Sequence, residues 1–223
     1  MLLSLIMGKS TPEEILLSLL LTIPTVLIAL SFHEFAHGWA ASKLGDPTAK
    51  NLGRLTLNPF KHFSLVGSLL MLLVGFGWAK PVPINTRYFK NPKKGMAISA
   101  AAGPLMNLLL AFIGVVIYAL SMKLLWRHMS AQVFYATALF FTNFCYMNVF
   151  FAVFNLLPIP PFDGSRLLFA FLPDKQYFAI MKYENVIMIV VLVGLATGIL
   201  DLPFEFIAEK ILSGMEWLVN LIL

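Results

Sequence analysis

Long uncharged stretches alternate with short basic loops along the whole 223-residue chain. The first stretch covers residues 15–32, eighteen positions without a charge. Before it stands Thr11-Pro12-Glu13-Glu14, in which a threonine cap, a proline at the first helical position and a glutamate three residues after the cap mark a helix start. Gly45 and Pro47 mark its stop. From residue 12 to 33 a helix rises about 31 Å at about 1.5 Å per residue, matching a hydrocarbon thickness of roughly 30 Å. Pro24 is expected to kink it. Residues 95–122 and 130–157 are each long enough to span, and 185–200 make a shorter span. Residues 204–223, with Glu205, Glu209, Lys210 and Glu216, leave two readings open, a last span or an amphipathic surface helix.

Residues 63–79 are uncharged but broken by Gly67, Gly75 and Gly77, and seventeen residues are marginal for a crossing. The loop that follows holds Lys80, Arg87, Lys90, Lys93 and Lys94 with no acid. A crossing would expel it to the outer side, so the stretch is read as re-entrant or half-buried. Twelve of the sixteen basic residues then fall on the side where the first helix ends, three on the other, and Lys210 is unassigned. The expected architecture is an all-α polytopic membrane protein with about four to six transmembrane helices and a re-entrant, β-containing segment after the first. Residues 1–223 are expected to form a single membrane-embedded domain. Residues 1–7 are apolar without a basic leader and make a poor signal peptide; a short interfacial segment is the plainer reading.

Composition agrees. Hydrophobic residues make up 59%, charged residues 12%, and the mean hydropathy is +0.84, against about 45–50% and about 25% in soluble domains. The excess of 16 Lys and Arg over 11 Asp and Glu lies in loops between apolar runs, which makes it a topology signal and argues against nucleic acid as a partner. Cys145 is alone in an apolar run, a core thiol without an intramolecular disulfide partner.

Chemistry enters at the end of the first stretch, where His33-Glu34-Phe35-Ala36-His37 follows directly. Residues i and i+4 share a helix face, so both imidazoles reach one Zn²⁺ while the glutamate stands beside the water it activates. With four His and seven Glu in the chain, about 0.002 such matches arise by chance. Two satisfied core histidines are the alternative, an expensive one in apolar surroundings. A catalytic zinc has three protein ligands and one open position. Asp163, after the 130–157 helix, emerges on the side of His33 and His37 only if residues 63–79 do not cross. Asp163-Gly164 also reads as a turn whose aspartate caps the next helix, and both readings stay open on the residues alone. His62 and His128 stand apart in loops and read as interfacial polar residues.

Three motifs together, His33-Glu34-Phe35-Ala36-His37, Gly103-Pro104-Leu105-Met106-Asn107 and Asn155 through Asp163-Gly164, resemble in order and spacing the site-2 protease family of M50 intramembrane zinc metalloproteases. The loops from Gly53 to Pro59 and from Phe76 to Pro83 look like those of its compact members without PDZ or CBS domains. The similarity covers roughly residues 25–173. It implies one Zn²⁺ per chain held by His33, His37 and Asp163, and Glu34 as general base. The implied reaction is hydrolysis of peptide bonds in or near transmembrane segments of membrane-protein substrates, in the cell membrane, with the site near the cytoplasmic side. The resemblance further suggests that Asn107 and Asn155 hold the substrate backbone or stabilise an oxyanion, with helix-to-helix bonding as the alternative. Lys80-Pro81-Val82-Pro83 is a plausible edge for an extended substrate, or a simple connector. Two other functions compete, a catalytically silent zinc-binding pseudoprotease and a metal transporter.

Overall fold

The computed structural model describes residues 11–62, 64, 65, 67 and 79–223. Helix α1, Pro12–Lys43, begins as its sequence dictates: Thr11 Oγ1 accepts from Glu14 N–H at 3.3 Å and Glu14 Oε2 accepts from Thr11 N–H at 2.9 Å. It ends at Gly45, whose φ of 105° suits glycine. Short helices α2, Thr48–Asn51, and α3, Pro59–His62, follow. After a 3₁₀ turn at Thr86–Tyr88 comes α4, Pro92–Leu125, capped by Asn91 with Pro92 at its first position. Helix α5, Ala131–Asn155, is capped by Ser130. The chain continues through α6, Asp163–Phe169, α7, Asp174–Met181, α8, Glu184–Ala196, and α9, Asp201–Ile222.

Helices α1, α4 and α5 form the bundle that positions the site. His37 meets Ser99 and His33 meets Asn107, so α4 runs antiparallel to α1. Asn107 meets Asn148 and Ala111 meets Cys145, so α5 turns back again. The end of α1, the start of α4 and the end of α5 therefore share one level. Their contacts use small residues: Ala29, Ala111 and Ala152 have no exposed surface, as expected where helices approach closely in a membrane.

Three runs, α1, Pro92–His128 and α5, are long and apolar enough to cross a bilayer, and the pair Lys175–Met181 and Glu184–Leu195, bent by 55°, adds a fourth if taken as one span. Three or four such spans among the described residues meet the expected four to six only at its lower bound. Helix α9 fails because Glu205, Glu209, Lys210 and Glu216 interrupt its apolar sequence. It nevertheless lies lengthwise on the bundle: Phe204 packs with Phe150 and Phe154, Ala208 with Val149, and Val219 with Val115 and Cys145. With the half-buried Leu212 and Met215 between them, these positions recur every three or four residues, so one face of α9 belongs to the core.

Most of the stretch read as re-entrant, and the amino-terminal residues 1–10, lie outside the described residues. The flanks of 63–79 are described, and they touch: Lys80 N–H donates to the His62 carbonyl at 2.8 Å. No strand occurs among the described residues, including the segment after Lys80. Two prolines there offer no donor, and Val82 N–H bonds a side chain instead.

Candidate metal centre

His33 and His37 lie one turn apart on α1, their rings edge to face with centroids 4.5 Å apart. Helix α4 passes over them at Gly103, where an added methyl group would fall on both imidazoles. His37 Nδ1 donates to the Ser99 carbonyl at 2.7 Å. A carbonyl only accepts, so the proton sits on Nδ1 and Nε2 keeps its lone pair. His33 Nδ1 lies 2.6 Å from Asn107 Oδ1 and adopts the same tautomer.

Asp163 comes from the opposite side. The chain after α5 folds back so closely that a Cβ on Gly164 would overlap the carbonyls of Leu156 and Leu157. Asp163 opens α6 but its carboxylate turns away from that helix: Oδ2 stands 3.1 Å from Nε2 of His33 and 3.1 Å from Nε2 of His37. The two Nε2 atoms are 2.9 Å apart. Arg166 lies 4.0 Å from the other oxygen, Oδ1.

Three potential acceptors therefore converge in a buried position, and a metal ion or a proton shared among them relieves the repulsion. Burial alone would raise the Asp163 carboxyl, but His37 and His33 beside it outweigh burial and hold it well below the usual carboxylate range. Two imidazoles and one carboxylate suit Zn²⁺, and donor separations of 2.9 to 3.1 Å approach the edge of a tetrahedron with bonds of about 2.0–2.1 Å. The residues fit zinc. Among the described residues this is the group of His, Cys, Asp and Glu side chains whose donor atoms converge.

Glu34, next to a candidate ligand, is 9% exposed and its Oε2 accepts from Val82 N–H at 2.7 Å. The segment carrying Val82 is anchored on its far side, since Arg54 Nη2 donates to the carbonyls of Lys80 at 2.8 Å and Pro81 at 3.3 Å. Asp46, 1% exposed, ties its other end by accepting from Asn85 N–H at 2.7 Å and Thr48 N–H at 2.9 Å.

Of the residues expected in the site, His33, Glu34, His37 and Asp163 come together, and Val82 joins through its backbone. Lys80 and Pro81 are exposed and Pro83 is half-buried. Asn107 is fully buried behind His33, and Asn155 Nδ2 donates to its own helix at the Phe151 carbonyl, 2.9 Å. His62 is buried but bonds the Thr56 carbonyl at 2.8 Å, apart from the cluster. The Ser99 carbonyl, Val82 N–H as partner of Glu34, and Asn148 behind Asn107 were not foreseen. Backbone groups leave no mark in a sequence, whereas Asn148, an amide in an apolar helix seven residues before Asn155, could have been noticed.

A profile of Peptidase family M50 matches residues 126–200. YwhC of Bacillus subtilis (strain 168) is 40% identical over 179 residues, covering 78% of this chain and 78% of its own. Rip2 of Mycolicibacterium smegmatis is 31% identical over 188 residues, 82% of this chain and 69% of its own. MJ0611 of Methanocaldococcus jannaschii is 29% identical over 161 residues, 71% and 74% respectively. Each of the three carries the description "putative zinc metalloprotease". No solved structure matches. With helices long and apolar enough to cross a bilayer and this likeness over most of its length, the chain belongs to peptidase family M50 and is a membrane zinc metallopeptidase.

Proposed function

We propose that the chain hydrolyses peptide bonds in or near the transmembrane segments of other membrane proteins, using one Zn²⁺ held by His33, His37 and Asp163 and Glu34 as general base. The observation that carries this reading is the convergence of three buried acceptors, drawn from α1 and the start of α6, beside a glutamate. Zinc bound there supplies a Lewis acid for peptide hydrolysis. Val82 N–H holds one oxygen of Glu34, which leaves the other to take a proton from water and return it to the leaving amine. His37 and His33 are held by groups on α4, so the ligands need no rearrangement before reaction.

The depth of the site follows from α1. His33 stands about 31 Å along the helix from Pro12, near one interface. Lys43, Lys50, Arg54, Lys61 and the basic loop after Lys80 gather at that end, which supports the cytoplasmic side of the cell membrane. The touching flanks at His62 and Lys80 and the antiparallel pairing of α1 with α4 put both ends of this basic region at the level where α1 stops. The whole of 1–223 acts as one membrane-embedded domain in this reading.

A helical substrate must unwind before cleavage, and Lys80-Pro81-Val82-Pro83 is the proposed place for it to lie. Its donors are already engaged, while among the described residues nothing bonds the carbonyls of Val82 and Pro83. The substrate would therefore dock by donating to these carbonyls, with Asn155 contacting its backbone from the end of α5. Asn107, without exposed surface, serves substrate through the His33 ring.

The test is to purify the protein, measure zinc per chain, and compare cleavage of a single-span reporter in lipid by wild type and Glu34→Gln. One zinc per chain with cleavage abolished in Glu34→Gln supports the proposal. Bound zinc without cleavage by wild type in any lipid points to a pseudoprotease, and zinc flux retained in Glu34→Gln points to transport.

A further inference from the structure

Behind His33 a line of amides crosses three helices, and its direction can be fixed without seeing a hydrogen. Asn148 Nδ2 donates to the Phe144 carbonyl at 2.9 Å. Its Oδ1 therefore faces Asn107 and accepts from Asn107 Nδ2 at 3.0 Å. The same Nδ2 also donates to the Ala29 carbonyl at 3.2 Å. Asn107 Oδ1 is thus turned toward His33, where only a protonated Nδ1 completes the bond at 2.6 Å. Neither Asn107 nor Asn148 has any exposed surface.

The two candidate histidine ligands are held differently. His37 leans on the Ser99 backbone carbonyl, which cannot reverse polarity. His33 leans on a side-chain amide, which can rotate by half a turn. Reversed, Asn107 would present Nδ2 to the ring, move the imidazole proton to Nε2 and remove the lone pair a metal needs. Two acceptors, Ala29 O and Asn148 Oδ1, oppose that reversal.

We propose that Asn148, on α5 and in contact with neither zinc nor substrate, is a positioning residue that locks Asn107 and through it holds His33 with its proton on Nδ1 and Nε2 free for the metal. The inference rests on the zinc reading given above, but its first test does not. In metal-free wild type labelled with ¹⁵N-histidine at alkaline pH, the His33 ring signals, assigned by comparison with His33→Gln, are expected to show the proton on Nδ1. A proton on Nε2 overturns the proposal, whatever the variants do.

The second test is zinc affinity by chelator competition. Asn148→Leu is expected to weaken binding about 10- to 100-fold, and Asn148→Asp, which keeps an acceptor toward Asn107, to stay within about threefold of wild type. Asn143→Ala is the control, because this amide of α5 bonds Thr25 at 3.5 Å with no link to His33; its affinity should match wild type. Folded Asn148→Leu with unchanged affinity, or an equal loss in Asn143→Ala, refutes the positioning role. If Asn148→Leu does not fold, the tautomer in wild type decides. Wild type that binds no zinc but shows the Nδ1 proton would sink the metal reading and leave the amide lock standing.

Discussion

Replacing Gly103 with alanine puts a methyl group where α4 crosses the histidine pair. The new Cβ would lie 2.7 Å from His33 Cε1 and closer still to the His37 ring. Carbon contacts settle at about 3.5–4.0 Å, so the rings or the α4 backbone must retreat by roughly 1 Å. Metal sites tolerate deviations of about 0.2 Å, and a misplacement of about 1 Å lowers catalysis on the order of 100-fold. Gly103→Ala is therefore expected to lower both zinc affinity and reporter cleavage about 100-fold. Helix propensity favours alanine by roughly 1 kcal/mol, and the unfolding temperature of the variant separates a damaged site from a damaged fold. Gly114→Ala supplies the comparison on the same helix: its Cβ would meet Cys145 Sγ at 2.7 Å and Phe144 Cδ1 at 3.0 Å, away from the histidines. It should unfold at lower temperature yet hold zinc as tightly per folded molecule. Gly214→Ala meets nothing within 4 Å and should match wild type in both. Zinc affinity by chelator competition, cleavage in nanodiscs and thermal unfolding of the same preparations decide the matter. A folded Gly103→Ala protein with wild-type affinity and cleavage would refute the steric argument.

Glu34→Gln should keep its zinc and lose cleavage by about 10²- to 10⁴-fold, since the amide cannot take a proton; loss of zinc instead would mean that Glu34 shapes the site. Asp163 has a depressed folded value, so its contribution to stability is present above the unfolded value of 3.8 and disappears as pH falls through the folded one. For metal-free protein the stability gap between wild type and Asp163→Asn should accordingly be wider at about pH 5 than below 3.8, and a gap independent of pH by thermal unfolding would contradict this. Asp46→Asn leaves one of two half-buried N–H donors, Thr48 or Asn85, facing an amide NH₂. It should destabilise the protein by about 1–3 kcal/mol, and an unchanged unfolding midpoint would show that the loop rearranges.

Elements defined by local chemistry were legible in the sequence. Thr11, Pro12, Glu14 and Gly45 set the ends of α1, and the apolar runs at 95–122 and 130–157 agree with α4 and α5 within a few residues. The two histidines sit on one face because of their spacing. The meeting of Asp163 with them depends on a chain reversal between α5 and α6 and was legible only as a condition on topology. Helix α9 escaped because its charges obscure a core face spaced three and four residues apart. The groups that hold the histidines and Glu34 are two backbone atoms, Ser99 O and Val82 N, and two amides from α4 and α5. Backbone atoms are identical at every position, so tertiary structure alone selects them.

The line from Ala29 through Asn107 to Asn148, together with His37 on Ser99 and Asn143 on Thr25, has a second consequence. In lipid no hydrophobic force tells one apolar helix how far to slide along another. A slip of one residue, about 1.5 Å, would break several of these bonds at once and strand their amides in hydrocarbon. Polar side chains thus act as the ruler that sets the offset of α1, α4 and α5. Apart from Asn143 on Thr25, the ruler's marks are the supports of the histidines, so in this protein the offset of α4 against α1 and the competence of the metal centre are set by the same bonds.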